Sequence, residues 1–339
     1  MRRRSRLCAL AVLLAASAGA AHAAAGAADS TAAGAAGATV SARPDSAGAD
    51  TLALRLLPVQ TLGNAGGERA IMAEPSGIAV DAFGRVYVTD ASQHRLVRFD
   101  ARGTSLGEAG ALGSAPGDLR RPAAVAAVGS LGVAVLDRGN LRVVLYDLFG
   151  RLVGVLTDFA ALEDELGHVD PVALAADRGG ALYVADADRD RVLVLDFSGR
   201  YVRSLGGFGM GAGLFRGLAG LATGPGGELV TAERTGARVQ RLDATGNPRT
   251  AWPLPVRPGR GRLAVAVDDS ARIAVADEAS GRLWLFDLAG RLLGARADLA
   301  SPRAVTFAPD GSLLVAEGTA GRVRRFALEP ARTVTPPGR

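Results

Sequence analysis

One pattern recurs six times and constrains the fold more than anything else in the chain: an alternating apolar run ends in an acid, and five residues later an arginine opens a second run. The acids are Asp90, Asp137, Asp186, Glu233, Asp277 and Glu317, and the arginines are Arg95, Arg142, Arg191, Arg238, Arg282 and Arg322. Runs such as VYVTD before the step and RLVRF after it are short, apolar and β-branched, as strands are. The five-residue step never changes, while successive acids stand 40 to 49 residues apart. An invariant hairpin on connections of unequal length is the mark of a repeated structural unit.

Each unit holds two further runs. An earlier apolar run opens at Pro75, Pro122, Pro171, Leu218, Arg262 and Pro302. After the arginine strand come Asp-x-x-Gly turns at Asp100–Gly103, Asp147–Gly150, Asp196–Gly199, Asp243–Gly246 and Asp287–Gly290. Asp first and Gly fourth is type I turn chemistry, so a fourth strand follows, supplied by RLVGVL, RYVRSL and RLLGAR. Four antiparallel strands in roughly 45 residues make a propeller blade. The sequence therefore predicts an all-β, six-bladed β-propeller of four-stranded antiparallel blades over residues 51–328. The sixth unit has neither the Asp-x-x-Gly turn nor an outer strand. Near the other end, PVQTLG (Pro58–Gly63) matches YVRSLG (Tyr201–Gly206), so an N-terminal strand is expected to complete the last blade and leave no open edge.

The stretch PSGIAVDAFGRVYVTDASQHRLVRFDARG, from Pro75 to Gly103, resembles an NHL repeat, and the chain as a whole resembles NHL-repeat six-bladed propeller proteins of the secreted bacterial type. The resemblance is specific as to fold. As to activity it implies a range, because such propellers include RNA-binding domains, bacterial sensor ectodomains, protein-binding scaffolds and a minority of enzymes.

Outside the repeats, residues 1–23 carry Arg2, Arg3, Arg4 and Arg6, the apolar run LCALAVLLAASAGA and the Ala21-His22-Ala23 cleavage pattern, which together read as a signal peptide. A secreted or periplasmic location follows as the expectation. Cys8, the single cysteine, precedes the apolar core and leaves with the leader, so the mature chain has no thiol for a disulfide or for catalysis. Residues 24–50 are Ala, Gly and Ser with almost no large side chain and read as a flexible linker; residues 329–339 read as a disordered tail. No later segment is long enough to span a membrane, and a monomer is expected. Losing the four leader arginines takes the formal charge from +5 to +1, so no broad basic face is implied and nucleic acid is not an expected partner.

A five-residue step across a tight hairpin sets the end of one strand beside the start of the next. The acid–arginine pairs are therefore expected to be structural staples, within a blade or between neighbours, because six copies of a ligand-binding residue around a ring are rarely needed. Function is better sought in the loops that join second to third strands and fourth strands to the next blade, which emerge on one face around the central opening. That face carries the candidate ligand-binding residues His94, Arg121, Arg138, Asp170, Asp188, Asp190, Arg216 and Arg303, with Glu74, Arg234 and Glu278 beside them.

Sharper motifs fail on inspection. GGFGMGAG, from Gly206 to Gly213, has Ala212 at the third required glycine and no helix after it, so it is not a dinucleotide loop. DADRD, from Asp186 to Asp190, has Arg191 in place of the turn glycine and Phe197 in place of the bidentate Glu of a calcium loop. ALEDELGHVD, from Ala161 to Asp170, reads as a solvated short helix. Only His94 and His168 outlast the leader, which excludes a three-histidine zinc site, and no Ser–His–Asp or Cys–His arrangement can be assembled. The expectation is an exported, non-catalytic recognition scaffold that takes a protein, peptide or glycan on its loop-rich face, with no cofactor. The alternative is a metal-dependent lactonase or lyase whose divalent ion would be held at the central opening by Asp188, Asp190, Asp170 and Glu74.

Overall fold

The first strand among the described residues finishes the last blade. In the computed structural model, which describes residues 52–63, 71–129 and 132–331, β1 (Leu54–Leu62) runs antiparallel to β24 (Arg322–Pro330), from Leu54 opposite Pro330 to Leu62 opposite Val323. Strand β24 thus extends two residues into the segment expected to be tail. The expected leader and linker, and residues 332–339, lie outside the described residues.

The described residues form six four-stranded antiparallel sheets. Blade 1 is β2 (Pro75–Val80), β3 (Val86–Asp90), β4 (Arg95–Phe99) and β5 (Ser105–Ala109); blade 2 is β6 (Ala124–Val128), β7 (Gly132–Asp137), β8 (Arg142–Tyr146) and β9 (Leu152–Asp158). Blade 3 is β10 (Pro171–Ala176), β11 (Leu182–Asp186), β12 (Arg191–Leu195) and β13 (Tyr201–Gly206); blade 4 is β14 (Leu218–Thr223), β15 (Leu229–Glu233), β16 (Arg238–Leu242) and β17 (Pro248–Pro253). Blade 5 is β18 (Leu263–Val267), β19 (Ile273–Asp277), β20 (Arg282–Phe286) and β21 (Leu292–Arg296); blade 6 is β22 (Pro302–Phe307), β23 (Leu313–Glu317), β24 and β1. The first strands pack side by side around the axis, β22 against β2 included, so the ring is shut. The acidic stretch near residue 165 holds a single helical turn, α1 (Glu163–Leu166), with Leu166 buried and its three acids exposed. Among the described residues no helix is long and apolar enough to cross a membrane.

The second strand of every blade is buried along its whole length, although its residues point alternately to both faces. Both faces are covered because a neighbouring blade lies on each. The core is accordingly divided into six apolar clusters, each shared by two adjacent blades, and the cluster of Leu62, Val88, Leu314 and Val323 joins the last blade to the first. Inner strands approach so closely that a Cβ on Gly77 would stand 2.6 Å from the Cα of Ala124 in the next blade.

The Asp-x-x-Gly turns form as expected. In the turn Asp100–Gly103 the amide of Gly103 donates to the Asp100 carbonyl (3.0 Å), and the Asp100 carboxylate accepts the amides of Arg102 and Thr104. These turns also serve the neighbouring blade. The carbonyl of the residue after the turn aspartate accepts from the preceding blade at Leu148 (from Tyr87), Ala244 (from Arg203), Leu288 (from Arg241) and Ala101 (from Arg325).

All six acids face their arginines as strand partners across the hairpin. Four pairs close within their own blade: Arg142 Nε to Asp137 (2.8 Å), Arg191 Nε to Asp186 (2.8 Å), Arg238 Nε to Glu233 (2.7 Å) and Arg322 Nε to Glu317 (2.6 Å). The expected pairs of blades 1 and 5 do not. Arg95 turns to Glu108 on β5 and to the Ile71 carbonyl, while Asp90 is filled by the amides of Ala73, Glu74 and Gln93 and the hydroxyl of Ser92. In blade 5 the Arg262 amide goes to Glu278 instead of Asp277, and Asp277 Oδ2 is buried without a partner among the described residues.

Candidate functional site

Around the axis the six inner strands present small residues, among them Gly77, Ala124, Ala173, Gly220, Ala264 and Ala304, and leave a cavity of about 300 Å³. At one end it opens among the loops that carry Arg138, Asp170, Ala187, Arg234 and Glu278, which is the loop-rich face. Side chains from several blades converge there because each first strand begins and each second strand ends at this rim.

The geometry is an arc of ion pairs between blades, from blade 5 through blades 6, 1 and 2 to blade 3. Arg303, opening blade 6, donates Nε to Glu278 of blade 5 (2.6 Å) and Nη1 to Glu74 of blade 1 (2.5 Å). Arg138 of blade 2 places Nε and Nη2 on one oxygen of Asp170 of blade 3, at 3.1 and 2.7 Å. Arg121 approaches Glu74 at 3.9 Å. Arg262, half-buried in blade 5, reaches across the axis and donates Nη1 to the carbonyls of Ser76 (3.0 Å) and Ala123 (2.9 Å) in blades 1 and 2. Arg234 donates Nη1 to the Gly261 carbonyl at 2.9 Å.

Burial lowers the pKa of Arg262 to about 10, with the nearby charge of Arg303 adding to it and Glu278 opposing. For Glu278, burial alone would push the carboxyl up; the hydrogen bonds from the Arg262 amide and from Arg303 outweigh it and hold the group below its ordinary value. Arg303 is pushed up: desolvation works against its charge, but the carboxylates of Glu74 and Glu278 prevail.

Of the candidate residues from sequence, the cavity wall gathers Arg138, Asp170 and Arg303, with Arg121 and Glu74 at the rim. The others serve different ends. His94 Nδ1 accepts the Arg121 amide (2.9 Å) from a backbone with φ 57°, tying blade 1 to blade 2. Asp190 is buried, and its carboxylate accepts the amides of Gly217 (3.0 Å) and Leu218 (2.7 Å) that open blade 4. Asp188 and Arg216 are exposed, with Asp188 4.0 Å from Arg189. Arg262 escaped the sequence reading, although it carried a signal: it stands where four of the other units have proline.

A divalent ion does not fit this donor set. Asp188, Asp190, Asp170 and Glu74 are not brought together; Asp170 and Glu74 already hold guanidinium groups, and Asp190 holds two amides. Among the described residues no three His, Cys, Asp or Glu side chains group closely enough to share a metal.

Fold and sequence together define a class: the chain is a six-bladed propeller resembling NHL-repeat proteins. The NHL repeat matches residues 72–99. The protein brain tumor of Drosophila melanogaster is 30% identical over 135 residues, which is 39% of this chain; the chain spans 12% of that relative's length. Among solved structures, virginiamycin B lyase from Staphylococcus aureus is similar with a TM-score of 0.57 and 12% identity, covering 81% of this chain and 99% of its own. A gluconolactonase from Xanthomonas campestris matches with a TM-score of 0.57 and 16% identity, over 76% of this chain and 87% of its own. At these identities the two enzymes share the fold alone.

Proposed function

We propose that this propeller is an exported, non-catalytic recognition scaffold that takes a protein, peptide or glycan partner on its loop-rich face. The observation that carries this reading is the cross-blade arc of charge at the mouth. Arg303 spans blades 5, 6 and 1 and Arg138 spans blades 2 and 3, so the rim is fixed by the same bonds that display its charges. A rigid frame with non-repeating loops is suited to binding, and arginine is enriched where binding energy concentrates. Of the carboxylates that a metal-dependent reaction would need, Asp170 and Glu74 are taken by arginines and Asp190 by main-chain amides. The likeness to a lyase and a gluconolactonase favours the alternative, a lactonase or lyase using a divalent ion, only through the fold.

Two measurements test the proposal. Elemental analysis of the purified mature protein is expected to find no stoichiometric divalent metal; one equivalent would turn the reading towards the enzyme. Peptides selected from a display library against the propeller are expected to lose binding in Arg138→Ala or Asp170→Ala. They should keep it in Arg178→Ala, which alters the opposite mouth. Loss in the last variant alone would place recognition elsewhere.

A further inference from the structure

The charges lining the axial cavity do not balance. Arg138, Arg234, Arg262 and Arg303 face two carboxylates, Asp170 and Glu278. Both carboxylates are taken, Asp170 by Arg138, and Glu278 by Arg303, the Ser301 hydroxyl and the Arg262 amide. The remaining capacity of Arg303 goes to Glu74. Among the described residues Arg234 and Arg262 therefore make no ion pair, and each guanidinium touches only main-chain carbonyl oxygen.

We infer that the axial cavity is an anion site that takes the carboxylate of a small organic acid between Arg262 and Arg234. Arg262 spends Nη1 on the carbonyls of Ser76 and Ala123, which fixes its stem across the axis; its Nε and Nη2 have no protein acceptor among the described residues. Nε and Nη2 form the edge of a guanidinium that matches the two oxygens of a carboxylate. Arg234 has the same edge free of protein acceptors among the described residues, its Nη1 being held by Gly261, the residue before Arg262. Neither guanidinium is in ion-pair contact with a carboxylate among the described residues, and an entering anion supplies the charge-assisted bonds that the carbonyl contacts do not. The other walls are Gly, Ala, Val, Leu and Ile with the single hydroxyl residue Ser76, which suit a short carbon body. At about 300 Å³ the space is at the small end of ligand pockets, which run from roughly 300 to 1,000 Å³, so it admits one acid group and a few carbons rather than a folded partner. This inference rests on the recognition reading and deepens it. The carboxylate comes from a free acid or from the end of a bound peptide, and the chemistry of capture is the same.

Succinate, titrated calorimetrically into the mature protein in a low-chloride buffer, is the probe. One saturable site is expected, with succinamide inert. Arg262→Gln, which removes the guanidinium and its charge, should weaken succinate by about tenfold or more, since a hydrogen bond to a charged group contributes about 1.5–3 kcal/mol. Arg234→Gln, whose single carbonyl contact lies at the rim, should do the same and stands in if Arg262→Gln does not fold. Arg178→Gln at the opposite mouth should leave binding unchanged. A short Gly-Ala peptide with a free C-terminal carboxylate, compared with its amidated form, separates the sources: selective binding of the free form assigns the acid to a peptide end, and binding of succinate alone assigns it to a free acid. No succinate binding, equal binding of succinamide, or an affinity unchanged from the parent in both arginine variants overturns the inference. Display-selected peptides that still depend on Arg138 would in that case leave the recognition reading standing.

Discussion

Blades 2 and 1 carry the same acid–arginine step at the same strand positions, yet only blade 2 closes it. In blade 2 Asp137 is fully buried and holds Arg142 Nε at 2.8 Å, the Arg120 amide at 2.6 Å and Asn140 at 2.7 Å, while Arg142 continues to the carbonyls of Ser114, Ala115 and Asp118. The pair is thus a clamp on the segment that crosses from the previous blade. In blade 1 the crossing segment brings two adjacent amides, Ala73 and Glu74, onto Asp90, and Glu108 draws Arg95 away. The constant element is the buried acid taking main-chain amides of the incoming segment; the guanidinium is the part that varies. Blade 5 carries the variation further, since the incoming Arg262 amide moves to Glu278 and Asp277 and Arg282, though opposite each other in register, make no ion pair among the described residues.

The largest expected effect breaks blade 2. Asp137→Ala leaves Arg142 buried without its partner and should cost about 3–5 kcal/mol in chemical denaturation. A loss well below 1 kcal/mol, measured at about that precision, would mean the clamp is ornamental. The comparison itself is sharpened by two double-mutant cycles. Asp137 with Arg142 should couple by between about 0.5 and 3 kcal/mol, whereas Asp90 with Arg95 should be additive within about 0.5 kcal/mol. Equal coupling in both blades would contradict the rearranged bonding.

The smallest effect separates buried clamps from exposed turns. The Asp196 carboxyl is held down at about 2, against an ordinary 3.8, first by the Ser198 hydroxyl and then by the amide and side chain of Arg200. A carboxyl whose pKa is depressed in the fold contributes stability that is present above its ordinary value and lost as pH falls from 3.8 towards about 2. In Asp196→Asn that contribution is missing at every pH, so stability followed by circular dichroism should fall less steeply through this window than in the parent. An identical slope would show that the turn carboxyl does not feel the fold.

The propeller was legible because its unit is written six times with one spacing, and because Pro58–Gly63 repeats the outer strand that the last unit omits. What each acid does was only half legible: the partner in register could be read, but not the amides of Ala73, Arg120 or Ala300, which arrive from crossing segments without a shared motif. Glu108 could not be seen as a competitor because its strand carries no repeat signal. At the mouth, Arg138, Asp170 and Arg303 were found as loop charges, whereas His94 and Asp190 were drawn into main-chain bonding that depends on left-handed backbone at φ 57° and 48°. Arg262 acts on Ser76 and Ala123, partners in blades far from it along the chain, and no local pattern reports such a reach.

Because β1 lies against β24, the strand that opens the propeller's sequence and the one that closes it must meet before the circle can be sealed. Five sectors can assemble while the sixth presents a bare ribbon edge, so final closure belongs among the slow, long-range events of folding. A pull applied between Leu54 and Pro330 would load that single ladder first, and mechanical unzipping should begin there while the other five sectors are still whole.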